Sequence, residues 1–189
     1  NMQGVEGSIL LMISHGFVSS ALFVCVGIVY DRFKTRLVGY YGGLVYVMPV
    51  YAVFFLLFTL GNLGLPGTMS FCGEFMVLLG TWQVNSFVCF LACSGMVLGG
   101  AYSLWLYNRV IFGHMKSYGM DTYCDVTRRE FFILLPFAVN MIWLGIYPTV
   151  ILEDMHCSVH MILENMVKVT REKTTEMPKV LVLNIWQMM

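Results

Sequence analysis

The sequence predicts an all-α integral membrane fold: about four transmembrane spans, the second a discontinuous helix, then an amphipathic C-terminal helix. Three observations carry this. Of 189 residues, 58% are hydrophobic and 12% charged, with a mean hydropathy of +0.75, whereas a soluble domain carries about 25% charged residues. Between Arg36 and Arg109 lie 72 residues with one Asp, Glu, Lys, Arg or His among them, Glu74. Inside that apolar stretch Gly61, Gly64, Pro66 and Gly67 put four helix-weakening residues into seven positions. Net charge is zero, so there is no electrostatic footprint for nucleic acid. The six cysteines form no CxxC pair and four lie in apolar runs. They read as small buried residues, not as a disulfide framework or a cluster site.

The membrane domain is expected over 1–152 and the tail over 153–189. The first span covers about 5–30. From Ile9 to Tyr30 its one ionisable group other than Tyr and Cys is His15, with Ser14, Ser19 and Ser20 around it. His15 and Ser19 are four apart and share a helix face. Two readings stand for this histidine. It is a neutral core residue bonded to a serine or carbonyl, or it is a proton-exchanging group, since imidazole changes charge near neutral pH. Gly16 and Gly27 are small enough for close helix contact. The span ends at a cationic loop with Arg32, Lys34 and Arg36.

The second span is expected over 45–82, broken at 61–68. Pro49 fits its first turn. Pro66 removes a backbone donor and pushes Leu65 out of the α region. The apolar runs on either side are each short for crossing hydrocarbon and together long enough. Non-helical backbone at such depth is tolerated where protein buries it or a wet cavity meets it. Glu74 falls within the first two turns of the second half-helix, near its positive end. A charge at bilayer depth costs about 2.5–3.5 kcal/mol on insertion scales. Broken helices with ionisable groups at the break mark ion-translocating proteins. The competing reading puts Glu74 at the membrane surface, between two short helices.

The third span covers 86–112, with Gly95, Gly99 and Gly100 as a small-residue face and Tyr102, Ser103, Tyr107 and Asn108 at a polar end. A loop with His114, Lys116, Arg128 and Arg129 leads to the fourth span, 131–152, with Pro136 near its start and Pro148 near its end. The Lys and Arg of the loops after spans one and three lie on one side, and the turn at 83–85 has none. By the positive-inside rule the cationic loops face the matrix or cytoplasm. Four positive charges in the tail run against that orientation. The tail begins amphipathic, with Met155, Val159, Ile162, Met166 and Val169 on one stripe, as in an interfacial or partner-packing helix. Asp154, His156, Cys157 and His160 do not complete a metal ligand set. Arg171 to Lys179 reads as a polar linker, and Val180 to Met189 as a short apolar end docked on a neighbour. There is no phosphate-binding loop, nucleophile elbow or nicotinamide fingerprint.

Several ordered motifs resemble a known family. They are Gln3-Gly4-Val5-Glu6-Gly7-Ser8, Ser14 through Phe23, Tyr30-Asp31-Arg32, Lys34-Thr35-Arg36, Leu63-Gly64-Leu65-Pro66-Gly67, Gly73-Glu74-Phe75-Met76 and Ala101-Tyr102-Ser103-Leu104. Together they closely resemble the antiporter-like membrane subunits of respiratory complex I, in particular the subunit 4 type, over roughly Gln3 to Pro148. The resemblance implies two inverted repeats of spans, each with a broken helix, of which this chain holds the last four spans. It implies that His15 and Glu74 belong to a hydrated polar axis in mid-membrane and relay protons. Ser14, Ser19, Asn62, Gly64, Pro66 and Gly67 would support them, the break opening polar backbone to water. It implies no cofactor on this chain, with flavin, iron–sulfur clusters and ubiquinone elsewhere in the complex.

The family's other key groups, a glutamate and lysines in earlier spans, are not in this sequence. A separate chain carrying the N-terminal half of the subunit is therefore expected as partner, alongside neighbouring antiporter-like and accessory subunits and lipid. A chain supplied only in part is the alternative. The location implied is the mitochondrial inner membrane, with a bacterial plasma membrane as alternative. Two other functions compete: a subunit of a multi-subunit monovalent cation/proton antiporter, and a structural membrane element that no longer pumps.

Overall fold

The computed structural model describes residues 1–114 and 124–188, of which 172–188 by backbone alone. Lys116 and the chain end at Met189 lie outside the described residues. The described chain is helical almost throughout. Helix α1 (Met2–Phe33) starts at Asn1, whose side chain accepts from Gly4 N, and stops at Lys34 in the left-handed region, φ 54°. Its buried positions include Gly7, Leu10, Ser14, Val18, Ala21, Cys25 and Ile28, a three–four alternation that forms one stripe. A 3₁₀ turn at Val38–Tyr40 and the short α2 (Leu44–Val47) lead into α3 (Pro49–Asn62). Then come α4 (Met69–Val84), α5 (Ser86–Ile111), α6 (Arg128–Ile146) and α7 (Thr149–Met188). By length and composition α1, α5 and α6 can cross a membrane, and α3 is a shorter apolar helix. The chain is thus an all-helical, multi-pass membrane protein.

The expected second span divides into α3 and α4, with residues 63–68 between them non-helical. The fourth span's helix, α6, begins at Arg128 because Thr127 and Glu130 make a reciprocal capping box. It stops at Ile146, short of the expected 152. Pro148 has no N–H to continue the ladder and disfavours α geometry at Tyr147. A fresh helix, α7, starts at Thr149 and runs straight through the expected linker at 171–179. Arg171, Glu172, Lys173 and Glu176 are good helix formers, so a polar composition did not mean a break.

α1 and α4 pack antiparallel, and glycines set their distance. A Cβ on Gly80 would lie 2.7 Å from Gly4 Cα, one on Gly7 2.6 Å from Met76 Cβ, and one on Gly73 2.9 Å from Leu11 Cα. The glycines that look suited to contact in the sequence act otherwise: Gly16, Gly27 and Gly95 have nothing within 4 Å of a Cβ, and Gly100 alone of its trio meets another segment, Leu63 at the break. The main core joins Val18 to Val29 of α1 with α2, α3, the end of α5 and Leu134, Ala138 and Met141 of α6. A second cluster joins Leu10, Met69 and Leu144, with Ile151 and Leu152 of α7 against it.

The end of the molecule where α1 finishes is held by polar contacts. Arg32 makes a two-pronged pair with Glu130, at 3.1 and 2.9 Å, and donates to the carbonyls of Cys124 and Asp125, both at 3.0 Å. The Asp125 carboxylate accepts from the N–H groups of Val50 and Tyr51, at 2.9 and 3.2 Å. These are free donors of the first turn of α3, so Asp125 caps that helix from a distant loop.

Candidate functional site: the broken helix and Glu74

The break is built by the chain itself. Gly64 has φ +72°. Its N–H donates to Gly61 O, and Leu65 N–H to Leu60 O, at 3.2 and 3.1 Å. This is the paired bonding of a glycine-terminated helix, and it satisfies carbonyls that water cannot reach in hydrocarbon. Gly67 has φ +94°, and Thr68 closes the segment by donating from both N–H and Oγ1 to Leu65 O, at 3.0 and 2.8 Å.

Neighbouring helices grip this segment. Gly145 of α6 lies against it: a Cβ there would fall 2.7 Å from Met69 N and also strike Gly67 O. Gly145 sits just before the α6–α7 interruption, so two interruptions of helix touch each other. Its carbonyl accepts from Cys72 Sγ, at 3.4 Å.

Glu74 closes over Gly64. A Cβ on Gly64 would lie 2.9 Å from Glu74 Cδ and would strike Oε2. The Oε2 atom is buried and, among the described residues, has no hydrogen-bond partner. Glu74 as a whole is half-buried, and an enclosed carboxyl oxygen without a donor is costly. One turn earlier on α4, Ser70 Oγ is 2.6 Å from Ser14 Oγ of α1, with Ser14 0% and Ser70 4% exposed.

The other expected site residues are placed less centrally. His15 is exposed on α1, beside the buried Ser14. Ser19 and Asn62 are half-buried, Gly64 is buried, and Pro66 and Gly67 are exposed. The structure therefore joins Glu74, Gly64, Ser70 and Ser14 into one neighbourhood and leaves His15 on an outer face. Ser70 does not stand out in the sequence; its place four residues before Glu74, on the same helix face, is the available signal. Glu6 is equally inconspicuous there. Its Oε1 lies 2.8 Å from His156 Nδ1. His160 lies 3.8 Å from Glu164.

A family model described as NADH:quinone oxidoreductase/Mrp antiporter, transmembrane, matches residues 1–99, more than half of the 189. The chain belongs to this family. It is 62% identical over 159 residues to NADH-ubiquinone oxidoreductase chain 4 of Marchantia polymorpha, covering 84% of this chain and 32% of that protein. It is 48% identical over 165 residues to NADH-quinone oxidoreductase subunit M of Rhodobacter capsulatus, covering 87% and 32%. Among solved structures it matches a chain of respiratory complex I from Thermus thermophilus with bound NADH. The TM-score is 0.77 at 26% identity, over 84% of this chain and 33% of that one. The chain thus spans about a third of the length of the relatives it matches. The break and Glu74 both lie within the residues that the family model matches.

Proposed function

We propose that this chain is the C-terminal part of a subunit 4-type, proton-translocating membrane subunit of complex I, and that Glu74 takes up and releases the proton. The observation that carries this is the Glu74 carboxyl, buried and unpartnered on the side of Oε2, seated on Gly64 at a break in a membrane helix. The family includes cation/proton antiporters, but the named relatives above are subunits of NADH dehydrogenases, which favours the respiratory complex. The Glu74–Gly64 contact and the buried Ser14–Ser70 pair favour a working site over a purely structural element.

In this reading Ser14, Ser70 and water entering at the break carry the proton to and from Glu74. Ser19 and Asn62 support the route, and Pro66 and Gly67 shape the unwound backbone. His15, on an outer face of α1, relays between Glu74 and groups on the remaining two thirds of the subunit. We place the chain beside other membrane-arm subunits, in the mitochondrial inner membrane. Flavin, iron–sulfur clusters and quinone belong to other subunits.

The test is Glu74→Gln in the assembled complex, with NADH oxidation and proton uptake measured together. The proton yield per electron is expected to fall. An unchanged yield with normal assembly would remove Glu74 from the pumping route.

A further inference from the structure

A buried carboxyl takes no part in the route above. Glu6, in the second turn of α1, is 8% exposed, and its partner His156 on α7 has a side chain 62% exposed. A buried acid thus meets an imidazole that reaches the surface. The depth of the pair follows from how α1 and α4 face each other. Gly4 lies against Gly80, Leu11 against Gly73, and Ser14 against Ser70. That register puts Glu74 level with Leu10. Glu6 is therefore one helical turn, about 6 Å, nearer the α1 N-terminus than Glu74.

The interval is apolar. Leu10, 0% exposed, lies in it, and Met76, Ile151 and Leu152 pack against the cluster that Leu10 forms with Met69 and Leu144. Of the groups beside His156 on α7, Glu153 and His160 are exposed, and among the described residues α4 brings no carboxyl other than Glu74. A tie that merely fastened α7 to α1 would not need its acid buried at the end of a span.

We propose that Glu6 and His156 form a proton-exchange station between Glu74 and the membrane surface at which α1 begins, with the Leu10 cluster as its gate. This rests on Glu74 carrying a proton. In the inward step His156 Nδ1–H gives its proton to the Glu6 carboxylate, and Nε2 takes one from a hydronium ion, leaving water. The ring ends neutral, in the other tautomer, and the reverse step releases a proton. Onward transfer occurs when Leu10, Ile151 and Leu152 part enough to admit water.

The test uses the assembled complex in sealed vesicles, with proton yield per electron as readout. His156→Ala is the first variant, because an exposed imidazole can be removed without opening the core. Its yield is expected to drop severalfold and to return when imidazole is added to the medium on the α1 N-terminal side. Glu6→Gln is expected to lower the yield without rescue. A wild-type yield in His156→Ala, or a lowered yield that imidazole does not restore, would overturn the station and leave a structural tie. Glu74→Gln run alongside separates the two readings. If it too pumps normally, the role of Glu74 fails. If it fails to pump while His156→Ala pumps normally, only the station is lost.

Discussion

A methyl group at Gly64 has nowhere to go. The backbone there is left-handed, which costs a residue with a Cβ about 1–2 kcal/mol, and the added carbon would strike the Glu74 carboxyl. Gly67 is also left-handed, at φ +94°, but a Cβ there meets nothing within 4 Å. The two glycines therefore separate strain from chemistry. Gly67→Ala is expected to lower stability by about 1–2 kcal/mol and keep the proton yield. Gly64→Ala is expected to lose the yield as well, because Glu74 must move off its seat. Thermal inactivation read beside proton yield per electron distinguishes them, and equal behaviour of the two variants would show that the Glu74–Gly64 contact is incidental. The Ser14–Ser70 pair gives a second comparison at this scale. Ser14→Ala leaves the Ser70 hydroxyl buried without its partner, at a cost of about 1–3 kcal/mol. The double change Ser14→Ala with Ser70→Ala removes both polar groups and is expected to be milder. A double variant less stable than either single one would mean that the hydroxyls bond elsewhere.

At the scale of elements, two devices hold the helices in place, and neither depends on Glu74. The first is the close approach of α1 and α4. Gly80 faces the backbone of Gly4, whose Cα and N would lie 2.7 and 2.9 Å from any Cβ at Gly80, and backbone cannot yield as a side chain can. Gly80→Leu is expected to part the two helices and abolish assembly, read as loss of the intact complex on a native gel. Normal assembly of that variant would mean the register is set elsewhere. The second device is Arg32 with Glu130, whose side chains are 11% and 13% exposed. Glu130→Ala leaves the half-buried Arg32 with only its carbonyl partners and is expected to cost about 1–3 kcal/mol, read from thermal inactivation. The break was legible in the sequence, because Gly64 and Pro66 act through local backbone geometry that any reader of the chain can apply. Which glycines touch was not. Gly16 and Gly27 look as suitable as Gly7 and Gly80, and only the pairing of two distant helices decides between them. The stop at Ile146 was hidden in a similar way: Pro148 was visible, but whether a proline ends a helix or sits in its last turn depends on what the freed backbone packs against, here the first break.

At the scale of the whole molecule, charge is divided between two ends. Arg32, Lys34, Arg36, Arg109, Arg128 and Arg129 gather where α1 and α5 finish and α6 begins, while the opposite end holds Asn1, Asn85 and the Glu6–His156 pair, with four further Lys and Arg after His156 along the tail. Lys and Arg near span ends set orientation, so the cationic end is expected to face the matrix or cytoplasmic side. The composition showed this polarity, but not which cysteines could report it, since exposure depends on the packed helices. In the structure Cys25 and Cys89 are buried, Cys72 and Cys93 are half-buried, and Cys124 and Cys157 are exposed. Cys124 lies at the cationic end, where its carbonyl accepts from Arg32, and Cys157 follows His156 at the other. The two exposed thiols thus lie at opposite ends of the packed helices. A thiol reagent that cannot cross lipid is expected to label Cys157 from the outer side of intact membrane vesicles and Cys124 only after the vesicles are inverted. Both labels from one side would contradict an odd number of crossings between them. The reverse pattern would turn the molecule over, and would place the Glu6–His156 end on the matrix or cytoplasmic side. There the same station would take protons in where the present orientation has it release them.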